Sequence, residues 1–263
     1  MSRSGVSTAV HAWVGGLGAL GSGVAVAGGL GFLTPAVSAW AGAGALAALL
    51  GGLTVASARP ELELFGPSLQ RARHPGRAAL TIDDGPHPES TPRFLAALAD
   101  AGVHATFFVL ADRVATWPSL LRDMVAAGHE IALHGPSHDP RLTWLHPREG
   151  AKVLRAAAQV LVDHGAPHPR WYRPPFGATS PRMYASVALA GLEVAWCSVR
   201  TLDGVPIRPE TLRARCRRVV GTDIVLLHDG VGPAPLLLPE ILAEWDQRGV
   251  RASSLTEALE EES

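Results

Sequence analysis

From residue 77 onward, short runs rich in apolar and β-branched residues alternate with helical stretches. The runs fall at about 78–82, 104–109, 129–134, 170–173, 192–198, 222–228 and 250–253, and the helical stretches at about 118–127, 147–164, 181–190, 209–219 and 236–248. One more helix starts at Thr91, which reads as its N-cap, with Pro92 at the first helical position and Gly102 just past its end. A parallel strand pair needs a crossover long enough for a helix, so this alternation predicts parallel βαβ units. Seven strands in about 180 residues predict an α/β fold, a small or incomplete (β/α) barrel, with a doubly wound open sheet as the alternative.

The segment before this domain is different in kind. Residues 4–58 contain no Asp, Glu, Lys or Arg. Residues 9–33 and 36–57 are apolar, and each reaches the roughly 20 residues a bilayer span requires. Thr34-Pro35 separates them, and small residues recur four apart, as at Ala39, Ala43, Ala47 and Gly51. Such spacing lets membrane helices approach closely. The reading is a transmembrane helical hairpin over residues 1–57, a juxtamembrane linker over 58–76 and a catalytic domain over 77–263. A signal peptide is the competitor, with Arg3 as its basic start and Ala25-Val26-Ala27 as a cleavage site. Arg3, Arg59, Arg71, Arg73 and Arg77 flank the hairpin ends and its turn has no positive charge. The positive-inside rule then places the catalytic domain on the cytoplasmic side of the cell membrane. A formal net charge of -1 carries no signature of a nucleic-acid partner. Cys197 and Cys216 match no zinc spacing and read as reduced core residues.

In a parallel barrel, chemistry gathers where the strands end. The first run ends in Asp83-Asp84-Gly85, the third in His134 with His138 four residues on, the fourth in Arg173 and the sixth in His228, while Asp203 follows the fifth. Alone, each has a plain explanation: a polar turn, two surface histidines, an exposed arginine, a satisfied core histidine. Together they converge on one rim. Adjacent carboxylates repel, and burying them is costly unless they are paired or metal-bound. Imidazole and carboxylate together suit a borderline divalent ion such as zinc, and three protein ligands leave a position open. One acid can then bind the ion while the other takes a proton from water that the ion has acidified. His228 reads as a general acid tuned near neutral pH, and Arg173 as a fixed charge pairing with an acid.

With these residues in order, the chain resembles the polysaccharide deacetylases that share the NodB homology domain, carbohydrate esterase family 4. The resemblance spans about residues 77–255. It rests on Thr81-Ile82-Asp83-Asp84-Gly85, His134-Gly135-Pro136-Ser137-His138, Arg173-Pro174-Pro175-Phe176-Gly177 and Leu226-Leu227-His228. It implies a distorted (β/α) barrel of about seven strands and a metal-dependent removal of acetyl groups from an N-acetylated sugar in a glycan or glycolipid. Asp83 would be the base. Asp84, His134 and His138 would hold the metal, zinc by donor type, with cobalt or manganese as alternatives. Arg173 would orient Asp83 and His228 would protonate the leaving amine. The Phe176 N–H would serve the oxyanion, with Pro175 and Leu226 on the substrate wall. Three departures stand out. Gly135 replaces a hydroxyl residue, which predicts a looser metal loop. Arg200 stands near the place of an acid, and Gly204 where a tryptophan is usual. Asp203 remains as the partner expected for His228. Two alternatives stand beside this reading: a deacylase of a lipid-linked or nucleotide-linked sugar, which a cytoplasmic domain would favour, and a weakened domain that binds glycan without turnover, which the altered segment would favour.

Overall fold

The structure, a computed structural model, describes residues 35–260. Its centre is a single curled sheet. The strands are β1 (Arg77–Gly85), β2 (Thr106–Leu110), β3 (Glu130–Gly135), β4 (Trp171–Tyr172), β5 (Glu193–Val194), β6 (Val199–Arg200), β7 (Ile224–His228) and β8 (Arg251–Ser253). They run in the order β5-β4-β3-β2-β1-β7-β6, with β8 against the start of β1, and every pairing is parallel. All strand ends that carry the polar residues therefore point to one rim.

Both faces of the sheet are buried, and alternate residues divide between them. Leu80, Ile82, Phe107, Leu133, Val225 and Leu227 belong to the larger core. Ala79, Phe108, Ala132, Trp171, Trp196 and Leu226 form a smaller second core, to which Ala72, Leu255 and Ala258 also belong. This is a barrel-like sheet with an open seam. The single strand expected at 192–198 is split by that seam: β5 pairs with β4, and β6 with β7, at opposite edges. Residues 195–198 cross between the edges, through bonds from Ala195 N to Tyr172 O (3.0 Å) and from Ser198 N to Ile224 O (3.0 Å). Leu69 fills in beside them, receiving the Trp196 N–H at 2.7 Å and giving its own to Val194 O at 2.9 Å. Ala72 then bonds to Thr222 O at 2.8 Å, so the segment before β1 laces the two edges together.

The helices are α1 (Pro35–Ser57), α2 (Thr91–Ala101), α3 (Ala111–Thr116), α4 (Pro118–Ala126), α5 (Pro147–Asp163), α6 (Pro181–Ala190), α7 (Pro209–Cys216), α8 (Ala234–Gln247) and α9 (Leu255–Leu259). Ser90, not Thr91, is the N-cap residue of α2, and the Thr91 hydroxyl is used elsewhere; Gly102 ends the helix at φ 62°. α3 and α9 were not expected. α3 follows β2 with no turn residue between, and α9 is a single capping box of Ser254 with Glu257. Both cysteines are free and buried.

Within α1, residues Trp40–Ser57 are long and apolar enough to cross a membrane, with mean hydropathy 1.5, and only 6% of that stretch is buried. The other half of the expected hairpin, residues 9–33, lies outside the described residues. The end of α1 is fastened to the domain: Ser57 O accepts the Thr179 N–H at 2.8 Å, and the Thr179 hydroxyl faces Ala56 O at 3.3 Å.

Candidate active site

Successive strand residues point to opposite faces, so two neighbouring acids should not share a site. The backbone breaks that rule here. Asp84 has φ 71°, and the register of β1 against β2 shifts between Asp83 and Gly85. A bulge of this kind re-aims a side chain. Asp83 and Asp84 both line one cavity of about 320 Å3 at the rim.

Asp83 is buried, and Arg173 neutralises it. The Arg173 guanidinium is fully buried; it donates to Asp83 Oδ1 at 2.7 Å, Thr81 Oγ1 at 2.7 Å, Trp196 O at 2.9 Å and Ala195 O at 3.2 Å. It also lies 4.0 Å over the Phe108 ring. The free carboxylate oxygen, Oδ2, is 4.0 Å from His134 Nδ1.

Asp84 faces two imidazoles. Its Oδ1 lies 3.2 Å from His134 Nε2 and 3.4 Å from His138 Nε2, and one ligand atom of each of the three residues falls within 4.8 Å of the others. Burial would raise the Asp84 pKa, yet the His134 hydrogen bond and the charges of His134, His138 and His228 outweigh it and bring it down to about 2. Burial pushes the His138 imidazole below its ordinary value, which favours the neutral ligand form. Asp84 Oδ1 is nevertheless buried without a hydrogen-bond partner of good geometry. A carboxylate oxygen and two imidazole nitrogens converging on one point are the donor set of a divalent cation, so the residues fit one.

The loop from His134 to His138 is tied down by its backbone. Gly135 has φ 122°, a conformation that side chains rarely adopt, so a hydroxyl residue would be strained there. Asp112 N donates to Pro136 O at 3.0 Å and Asp139 N to Ser137 O at 2.8 Å, which holds the loop. The His138 ring rests 4.1 Å from the Phe176 ring, on a residue at φ 58°.

Across the cavity, His228 Nδ1 lies 2.9 Å from Asp203 Oδ1, and the His228 backbone N–H donates to Asp203 Oδ2 at 3.0 Å. Burial depresses the imidazole pKa, but the bond to Asp203 and the charges of Asp83, Asp203 and Asp84 override it, and the net shift is upward. Gly204 explains its own departure. A Cβ there would sit 2.9 Å from His228 Nε2 and 3.0 Å from Cε1. The absent side chain is what leaves the imidazole in place.

Phe176 and Leu226 line the cavity as expected, but Pro175 does not; it is buried against Gly135, and Pro174 takes the wall position. Three supporting residues escaped the sequence reading. Arg113 donates to Asp84 O at 2.6 Å. Thr81 relays between Arg173 and Val225 O. Asp229 is fully buried and accepts from the Ser90 and Thr91 hydroxyls, while its N–H donates to Asp83 O at 2.8 Å. Burial raises its pKa despite those bonds. Its position beside His228 was the only available signal.

Comparison with known proteins agrees with this geometry. A sequence model described as "Polysaccharide deacetylase" matches residues 70–195. A chitooligosaccharide deacetylase of Bradyrhizobium sp. (strain ANU 289) is 40% identical over 159 residues, covering 59% of this chain and 71% of that protein. The peptidoglycan-N-acetylmuramic acid deacetylase PdaC of Bacillus subtilis (strain 168) is 30% identical over 184 residues, which are 70% of this chain and 38% of that one. Among solved structures, a family 4 carbohydrate esterase from Streptomyces lividans in complex with acetate superposes with a TM-score of 0.63 at 27% identity, covering 68% of this chain and 93% of the other. The curled parallel sheet, the rim on which the acids and histidines meet and these likenesses lead to one conclusion: the chain belongs to the polysaccharide deacetylase family, with its NodB homology domain.

Proposed function

We propose that the protein is a membrane-anchored, metal-dependent hydrolase that removes N-acetyl or related N-acyl groups from an amino sugar in a glycan or glycolipid. The observation that carries this reading is one cavity lined by a three-ligand cluster, a buried acid held by an arginine, and a histidine held by a second acid. Asp84, His134 and His138 would hold the cation, zinc by donor type, with cobalt or manganese as alternatives. When bound, such an ion supplies Lewis-acid chemistry: it polarises the acyl carbonyl and acidifies water.

The remaining work falls to the chain. Asp83, oriented by Arg173, takes a proton from the attacking water. The Phe176 N–H donates to the carbonyl oxygen as negative charge develops on it. His228, oriented through Nδ1 by Asp203, presents Nε2 to the leaving nitrogen and gives it a proton. Leu226 and Pro174 shape the wall for the acyl group. The relatives named above act on chitooligosaccharide and on peptidoglycan N-acetylmuramic acid, so an N-acetylated hexosamine is the substrate class to try first. α1 would anchor the domain. Its end is bonded to Thr179, two residues beyond Gly177 on the cavity wall, so the cavity would open close to the bilayer. That favours a membrane-proximal glycan or a lipid-linked sugar. The flanking arginines favour a cytoplasmic side, which a reporter fused after Ser263 would test.

The direct test is acetate release from N-acetylated oligosaccharide, peptidoglycan and lipid-linked amino sugars, with zinc, cobalt and manganese supplied in turn. Full activity surviving in both Asp83→Asn and His134→Ala would refute the proposal.

A further inference from the structure

We infer that Arg200 makes the outer wall of this cavity a recognition site for an anionic group, a phosphate or a carboxylate, carried by the substrate next to its N-acyl sugar. The deacetylase reading enters only in the choice of sugar. Two other positive charges near the cavity are already engaged. Arg173 is consumed by Asp83, and Arg113 is bonded to the Asp84 carbonyl. The Arg200 guanidinium, in contrast, has no carboxylate within 4.0 Å among the described residues. It lies 5.5 Å from the Trp196 ring centroid, and both residues line the cavity that holds Asp83, Asp84 and His228. Glu61 borders a neighbouring cavity with Arg200 but makes no ion pair with it.

Its position is set by the fold. Arg200 closes β6, pairs in register with Leu226, and its carbonyl accepts from Arg215 at 3.1 Å, which brings a second cation to the same strand end. The residue is exposed, so no buried partner explains the charge. Leu202 and Val205, also exposed, continue the same wall outward. A planar guanidinium backed by an aromatic ring and left with free N–H groups is suited to bidentate capture of a carboxylate or phosphate. A neutral sugar chain gives it no partner.

The test uses the full chain in detergent, loaded with zinc, and three probes: N-acetylglucosamine, N-acetylglucosamine 1-phosphate and N-acetylmuramic acid. Affinity is read from Trp fluorescence or calorimetry, and turnover from acetate release. The wild type should bind at least one anionic probe roughly tenfold more tightly than the neutral one. Arg200→Met should abolish that preference and leave the neutral probe unchanged. Arg200→Glu should push the anionic probes below the neutral one. Whichever of the phosphate and carboxylate arms shows the larger loss identifies the anion. Should Arg200→Met fold poorly, Arg200→Gln replaces it at the same exposed site. The inference is overturned if the wild type shows no preference, or if the preference survives in the Met or Gln variant because the anion is held at the metal cluster. Absence of acetate release from every probe would count against the deacetylase reading alone, since the binding preference decides this point separately.

Discussion

The Arg173–Asp83 pair allows a quantitative test of how the site is held. Arg173→Met removes a fully buried guanidinium and leaves Asp83, 3% exposed, as an uncompensated buried charge. Breaking one side of such a pair costs about 3–5 kcal/mol, most of it the desolvation of the charge left behind. The Ala195 and Trp196 carbonyls also lose their guanidinium donor, each worth about 1 kcal/mol if water does not replace it. For a domain of this size roughly 2–4 °C of melting temperature corresponds to each kcal/mol, so the stranded charge alone should lower the melting temperature by about 6–20 °C, and the lost carbonyl bonds extend the upper end to about 28 °C. Asp83→Asn in the same background removes the stranded charge. The double variant should therefore be more stable than Arg173→Met alone, by about 2 kcal/mol or more. Denaturant unfolding of the four proteins, followed by circular dichroism, gives the cycle. A loss below about 1 kcal/mol in Arg173→Met, or a double variant no more stable than Arg173→Met, would show that burial of this pair does not carry the energy assigned to it.

Other expectations concern the chemistry directly. With His228 as the proposed acid, whose pKa burial lowers but Asp203 brings above its ordinary value, activity should persist as pH rises and fall only as pH passes that elevated value. Asp203→Asn removes the negative charge, lowers the imidazole pKa and should move the alkaline limb of kcat/KM to lower pH, while activity below both limbs changes less. Gly204→Ala places a methyl against His228 Nε2 and should reduce kcat at least about tenfold with a melting temperature near wild type. Asp83→Asn should keep metal affinity largely intact while abolishing turnover, whereas Asp84→Asn should weaken zinc binding by about tenfold or more in equilibrium dialysis. Equal metal loss in both would contradict the division between base and ligand. Because Asp84 is held down at about 2 and His138 is also depressed, metal retention should extend to lower pH than the ordinary imidazole range, read by zinc release during acid titration.

Much of the fold was legible because burial on both faces leaves a strong periodic signal. β1, β2, β3 and β7 were found within about three residues, and their ends correctly named the acids and histidines that share the cavity. What was hidden depends on tertiary closure. Nothing local in "LEVAWCSVR" marks where the chain leaves one sheet edge for the other, so one expected strand is in fact two. The segment around Leu69 and Ala72 read as linker because it has no period of its own; its backbone bonds go to residues more than a hundred positions away. The bulge at Asp84 was likewise invisible, although the presence of two neighbouring acids on one rim required some such break in alternation. Gly135 and Gly204, read as losses of side chains, turn out to answer a backbone conformation and the space around an imidazole.

Closing the sheet and orienting Asp83, the proposed base, are one interaction. The Arg173 side chain rises from the end of β4 and bonds at once to Asp83 and Thr81 on β1 and to the carbonyls of Ala195 and Trp196 in the crossing segment. Those two carbonyls lie where the seam breaks the strand ladder and need donors from somewhere. The guanidinium meets that need with two of its four bonds, and among the described residues its charge is matched only by Asp83. A lysine would not serve, because a single ammonium cannot span the seam carbonyls and the carboxylate in one plane. The Asp83 carboxylate is thus held as firmly as the seam itself. A substitution that loosens residues 195–198 should misplace Asp83 without touching it, and should lower kcat while the zinc affinity of Asp84, His134 and His138 stays unchanged.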